Sequence, residues 1–215
     1  DAKRIGFDGI ELHGAHGYLI DQFFWAESNQ RTDTFGGSAE NRLRFPRMIV
    51  SVVREAVGPE FPIMFRFSQW KLSDYDAIIA ETPDALGEIL KPLADDGVDI
   101  FHASTRRVWE PGFEGSDKTL ATWTRELTGK PVIAVGSVGL DKTFRAGHFT
   151  RTEDPTSKSR VNVEELAMWR ARDDFDLIAI GRALLSDPQW ANKVRDGRLD
   201  ELSDFDSSAL DTLVR

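Results

Sequence analysis

The chain of 215 residues contains no cysteine, which excludes disulfides, thiolate nucleophiles and cysteine-ligated zinc or iron–sulfur centres. It also lacks a signal-peptide pattern and any apolar run near the roughly 18 residues needed to cross a bilayer. Basic residues are outnumbered 27 to 36 by acidic ones, for a net charge of −9. That surplus repels nucleic acid and anionic membrane over most of the surface, so any phosphate site must be built locally. What is present, 40% of it apolar, is an ordinary globular composition with material for one large core. A single domain over residues 1–215 is expected, with the cytoplasm as its default compartment.

The first residue is Asp rather than Met, and Ala2-Lys3-Arg4-Ile5-Gly6 reads as the last turn of a helix with a glycine stop. The native N-terminus is expected to lie upstream. Short β-branched or aromatic runs then recur at Phe7–Leu12, Pro62–Phe67, Val98–Ala103, Pro131–Val135 and Asp176–Ile180. Helical patterns at Ala39–Val57, Pro83–Asp96, Lys118–Thr128 and Val163–Arg172 separate them, and such alternation implies a parallel sheet. The apolar runs Ile63-Met64-Phe65 and Val132–Val135 suit strands buried on both faces. Segments that follow strands are long and those that return from helix to strand are short, which puts function at the C-terminal strand ends. The polar stretch Arg145 to Arg160 is expected to be mobile.

The first strand leads into His13-Gly14-Ala15-His16-Gly17-Tyr18. Two neutral imidazoles can each donate one N–H to a single carbonyl oxygen, and a nearby phenol can deliver a proton, a set suited to reducing an unsaturated carbonyl compound. His-x-x-His is also a metal-ligand spacing, but neither Cys nor a carboxylate stands within the motif, and no metal is expected. Plain structural histidines are the remaining alternative.

Arg66 is expected near the end of an apolar strand, where its guanidinium stays charged and must meet an anion or a strong acceptor. A buried salt bridge and a ligand contact both satisfy that demand. Val135-Gly136-Ser137-Val138-Gly139 follows the fourth strand, and Ile180-Gly181-Arg182-Ala183 follows the fifth and opens a helix. Each alone reads as a tight turn; together, after the last two strands of a βα series, they match the usual phosphate position of a TIM barrel. Asn29 to Arg42 reads as an ordered loop knit by salt bridges and leading into a serine-capped helix. The aromatic segment Val108–Phe113 suits a pocket wall, a lid or an interface patch, and His102 and His148 take structural or surface roles.

His-Gly-Ala-His-Gly-Tyr-Leu-Ile-Asp-Gln-Phe at 13–23, the Asn29 to Arg42 run, Arg66, Gly136-Ser137 and Gly181-Arg182 follow one another in the order and with the gaps of one family. On these motifs, spanning residue 6 to about 190, the chain resembles the old yellow enzymes, the NADH:flavin oxidoreductases. The resemblance implies a TIM (β/α)8 barrel of which this chain supplies about strands four to eight. It implies FMN as cofactor, NADH or NADPH as hydride donor and an enone-type small molecule as acceptor. Residue by residue, it implies that His13 and His16 hold the substrate carbonyl oxygen and Tyr18 donates the proton. Arg66 then faces the flavin pyrimidine edge and ribityl chain, while Gly136, Ser137, Gly181 and Arg182 hold the phosphate. Five strands leave two open edges, so closure requires the missing strands, a complementary N-terminal chain or self-association. The rival readings are an inactive half-barrel and a non-redox barrel that uses the same phosphate site.

Overall fold

The computed structural model describes residues 1–142, 147, 152–160, 162–172 and 174–212. Five parallel strands run side by side in sequence order: β1 (Ile10–His16), β2 (Ile63–Lys71), β3 (Ile100–Ser104), β4 (Val132–Val135) and β5 (Leu177–Ile178). The helices are α1 (Leu19–Phe24), α2 (Ala39–Val57), α3 (Pro83–Asp95), α4 (Leu120–Thr128), α5 (Leu166–Ala171), α6 (Arg182–Ser186) and α7 (Trp190–Arg195). Three of them begin on side-chain caps: Ser38, Thr82 and Thr119 accept the backbone N–H groups of Asn41, Ala85 and Thr122. Gly129, at φ 66°, takes the left-handed turn that stops α4.

The two faces of the sheet differ. Ile63, Phe65 and Phe67 of β2, Phe101 of β3 and Val132 of β4 have no solvent exposure, and all but Ile63 join one core with Leu86, Leu90 and Leu93 of α3. Burying each such side chain contributes about 1.5–3 kcal/mol. The alternate residues of the same strands, Met64, Arg66 and Ile133, are only half-buried, and Leu177 is 55% exposed. Burial on both faces, as expected from the apolar runs, therefore holds only for the helix-facing side. The other side is the inner face of an incomplete barrel.

One ion pair lies wholly inside. Lys71 Nζ and Asp21 Oδ1 are 2.7 Å apart with neither side chain exposed, and Asp21 Oδ2 accepts the Gly17 N–H at 2.6 Å. Burial pushes the Asp21 carboxyl up and the Lys71 ammonium down, while each charge draws the other back. The buried loop residue Asn29 donates to the carbonyls of Phe23 and Phe35, Arg31 pairs with Asp33, and Arg42 donates to Phe24 O. That run is the ordered scaffold expected.

Some elements depart from the sequence reading. β1 extends through both histidines instead of stopping at Leu12, and α1 occupies part of the segment read as loop, since six residues are too few to show helical periodicity. α5 and β5 are shorter than expected. Within 145–160, Ser157 and Ser159 are buried and Ser157 pairs with Phe205; residues 145, 146 and 148–151, His148 among them, lie outside the described residues. No helix among the described residues is long and apolar enough to cross a membrane.

β1 and β5 each have a single neighbour, so each presents a row of unpaired N–H and C=O groups. Produced by itself, residues 1–215 should self-associate or aggregate through these edges and retain little flavin. Sedimentation together with the flavin-to-protein ratio checks this; a monomer with stoichiometric flavin would show that closure is not required.

Candidate active site

His13 and His16 are three residues apart, and strand alternation alone would send them to opposite faces. The register between β1 and β2 breaks between Gly14 and His16, and His16 adopts φ 64°. This bulge returns both rings to one side, with centroids 5.3 Å apart, and leaves Tyr18 at 5.2 Å from His13. Gly14 is required there, because a Cβ would stand 2.4 Å from Phe65 Cζ. Ser68 Oγ accepts the His16 N–H at 2.9 Å and fixes the turn.

His16 Nε2 lies 2.8 Å from Ser104 Oγ, and its ring stacks on Trp70 at 4.3 Å. Burial, then the positive charge of Arg66, lowers its pKa to about 3; the same two causes lower that of His13. Both imidazoles are neutral at physiological pH and each keeps one N–H to donate. Arg66 donates to Ser104 Oγ at 3.3 Å, and the Ser104 hydroxyl, if it donates to His16 Nε2, leaves the His16 N–H on Nδ1.

Arg66 sits in the middle of β2, not near its end, with His13 and His102 as its neighbours in register. It makes no ion pair among the described residues, and its Nε is buried without a partner. The buried salt bridge weighed from sequence is absent there. His102 has the structural role expected: its Nδ1 is 2.7 Å from Glu11 Oε2. Burial pushes the Glu11 carboxyl up, but the His102 hydrogen bond and charge outweigh it and hold the group below its ordinary value.

A cavity of about 240 Å³ opens at the C-terminal strand ends, lined by His16, Arg66, Gly136, Ser137, Gly181 and Arg182 together with Trp70, Ser104 and Arg106. His13 and Tyr18 stand beside it on the β1 side. The two glycines differ in kind. A Cβ on Gly136 would meet Thr105 Oγ1 at 2.6 Å, so this glycine admits the neighbouring loop, whereas a Cβ on Gly181 would meet nothing within 4 Å and that backbone is open to a ligand. Ser137, at φ 54°, donates its hydroxyl to Arg106 O at 2.9 Å. Arg182 donates to Lys142 O at 2.8 Å, and burial, then the charge of Arg106, lowers its pKa to about 10. Among the described residues no carboxylate lines this cavity, and Arg66 and Arg182 at its two sides make an electrostatic fit to a phosphate-bearing ligand. The open backbone at Gly181 and the orphaned Arg66 Nε are consistent with FMN there.

Sequence reasoning missed Ser104, Trp70 and Arg106. Ser104 ends β3, and the end of a barrel strand is a position where functional side chains gather; that signal was available. Of the aromatic segment at 108–113, Val108 and Phe113 are buried, and Phe113 helps line a second cavity of about 790 Å³.

The family model described as NADH:flavin oxidoreductase / NADH oxidase matches residues 1–150. The chain is 36% identical to the NADH oxidase of Thermoanaerobacter brockii, over 94% of this chain and 28% of that protein. It is 37% identical to the NADPH dehydrogenase of Bacillus pumilus, over 88% of this chain and 48% of that one. The structure of morphinone reductase in complex with tetrahydroNAD superposes with a TM-score of 0.69 and 26% identity, covering 97% of this chain and 48% of the other. An old yellow enzyme homologue from Zymomonas mobilis, 20% identical, shares the fold with a TM-score of 0.70. The parallel five-stranded sheet is thus part of an old-yellow-enzyme TIM barrel, and the chain spans about half or less of the length of these relatives. It belongs to the NADH:flavin oxidoreductase / NADH oxidase family.

The displaced imidazole titration has a consequence for stability. Between its ordinary value of 6.5 and the folded value of about 3, His16 binds a proton in the unfolded chain but not in the folded one. Its contribution is therefore complete above pH 6.5 and is lost as pH falls toward 3. His16→Asn should flatten the decline in stability across that window, measured by urea melts at pH 7, 5 and 4; parallel declines would contradict the buried, neutral ring.

Proposed function

We propose that this chain carries the catalytic half of an FMN-dependent oxidoreductase that reduces the activated C=C bond of an α,β-unsaturated carbonyl compound, with NADH or NADPH as donor. The observation that carries the reading is the grouping of two neutral imidazoles and a phenol beside a cavity whose charged lining, among the described residues, is arginine. The names of the NADH oxidase and NADPH dehydrogenase relatives support the nicotinamide donor, and that of morphinone reductase supports a reducible small-molecule acceptor.

Arg66 would hold the flavin ring system and ribityl chain; Gly136, Ser137, Gly181 and Arg182 would hold its phosphate. When bound, FMN supplies the hydride. His13 and His16 each donate one N–H to the acceptor's carbonyl oxygen, and the negative charge that develops there meets donors already in place. Tyr18, half exposed beside His13, protonates the α-carbon. The two open sheet edges support a site completed by further strands, supplied by a longer chain, a complementary chain or a second copy. The enzyme is read as cytoplasmic.

In the complete protein, Tyr18→Phe should leave flavin reduction by the nicotinamide largely intact and slow enone reduction by roughly ten-fold or more. Stopped-flow measurement of the two half-reactions separates them, and equal slowing of both sinks the proton-donor role. His13→Ala or His16→Ala should weaken binding of a phenol, whose phenolate imitates the polarised carbonyl, by roughly 1.5–3 kcal/mol. Titration of the flavin spectrum reads that affinity, and an unchanged value at full FMN occupancy contradicts the assignment.

A further inference from the structure

The larger cavity, about 790 Å³, adjoins the arginine-lined one and shares Trp70, Ser104, Thr105 and Arg106 with it. At this junction the Arg106 guanidinium lies 4.0 Å from the centroid of Tyr75 and 5.4 Å from that of Trp70. Among the described residues this guanidinium makes no hydrogen bond or ion pair, and its Nη1 is buried with no acceptor. Trp70 Nε1 and the Tyr75 hydroxyl are likewise buried and unpartnered. Three donors, one of them charged, are thus grouped in a single stack with nothing to accept from them. A buried donor left unmade is costly, and a cluster of them is met by a ligand that brings oxygen acceptors. Contact with the faces of two aromatic rings holds the guanidinium in place, and its forked N–H groups can recognise a planar carboxylate.

The position of the stack relates it to the chemistry. Trp70 is the ring on which His16 stacks, so it stands between the carbonyl-binding imidazoles and Arg106. Trp70, Tyr75 and Phe113 give the larger cavity apolar walls suited to a flat, unsaturated body. Its rim also carries Asp76, Glu81, Glu110 and Glu114, with Arg107 at 3.7 Å from Glu110. Four carboxylates disfavour a polyanion there and tolerate a single negative charge held at depth.

Resting on the reaction proposed above, we propose that Arg106, with the Tyr75 hydroxyl and the Trp70 indole N–H, forms an anion subsite, and that the acceptor reduced beside His13, His16 and Tyr18 carries a carboxylate on its far side. The same donors would serve the pyrophosphate of a dinucleotide, and the test separates the two sources.

The complete, FMN-loaded protein is titrated calorimetrically with benzoate, with benzamide and with ADP-ribose. Benzoate should bind at least ten-fold more tightly than benzamide, and Arg106→Met should abolish that preference in the flavin-loaded protein. Arg106→Lys, which keeps the charge and loses the fork, should retain part of the benzoate affinity, and Tyr75→Phe should lower it to a smaller extent; these variants carry the test if Arg106→Met fails to fold. Equal benzoate affinity in wild type and variants overturns the subsite. Loss of FMN from folded Arg106→Met overturns it by assigning the guanidinium to the flavin phosphate, and loss of ADP-ribose binding with benzoate unchanged assigns it to the dinucleotide. A wild-type protein that holds no flavin overturns instead the parent reading.

Discussion

A lysine and an aspartate with no exposure to solvent hold the turn on which the candidate site depends. Taking both charges out of water is expensive, and removing one partner from such a pair costs about 3–5 kcal/mol because the other is left buried and uncompensated. The pair is therefore bound to stay together, and its geometry is imposed on what it touches. Asp21 reaches back from α1 to the Gly17 N–H, between His16 and Tyr18, while Lys71 faces His16 across the β1–β2 register. The Trp25 ring, 5.4 Å from Lys71 Nζ, closes the other side. Imidazole and phenol thus project from a segment anchored at its centre by a charge pair that has nowhere else to go.

Around that turn the sheet separates two functions by alternation. Phenylalanines and aliphatic residues on the outer face pack against helices, and the inner face carries Glu11, His13, Arg66, His102 and Ser104 toward the C-terminal end. The electrostatics follow from this crowding. Burial, then the Arg66 guanidinium, keeps both rings neutral, and Glu11 offsets part of that positive charge at His13. The outcome is a positive floor with uncharged hydrogen-bond donors at its edge.

Much of this was legible in the sequence because βα alternation and loop asymmetry are periodic signals that a single chain displays. The strand–helix order and the placing of Gly136, Ser137, Gly181 and Arg182 after the last two strands could be read that way, the Asn29 to Arg42 scaffold from its cap and charges, and the place of Arg66 beside them only from the resemblance to the family. The facing of His13 and His16 could not, since it depends on a two-residue shift in the β1–β2 register and on the close contact of Gly14 with Phe65, 51 residues along a different strand. α1 escaped because it is shorter than the period analysis needs, and its position is set by the Asp21–Lys71 contact and not by propensity. Arg106 and Trp70 were invisible as a pair because they meet only when the end of β2 and the loop after β3 come together.

β5 consists of two residues, one of them more than half exposed, and it pairs with β4 through only Ile133 and Ala134. Gly181 and Arg182, proposed above to hold the phosphate, hang from this short strand, at the end of the sheet with the fewest ladder bonds. Ligand that binds the ordered form alone adds stability by mass action, about 2.7 kcal/mol at a hundred-fold excess over its dissociation constant. On the proposed assignment, cofactor loading and the ordering of this end would be a single equilibrium, with the flavin as the last structural element of its own binding site.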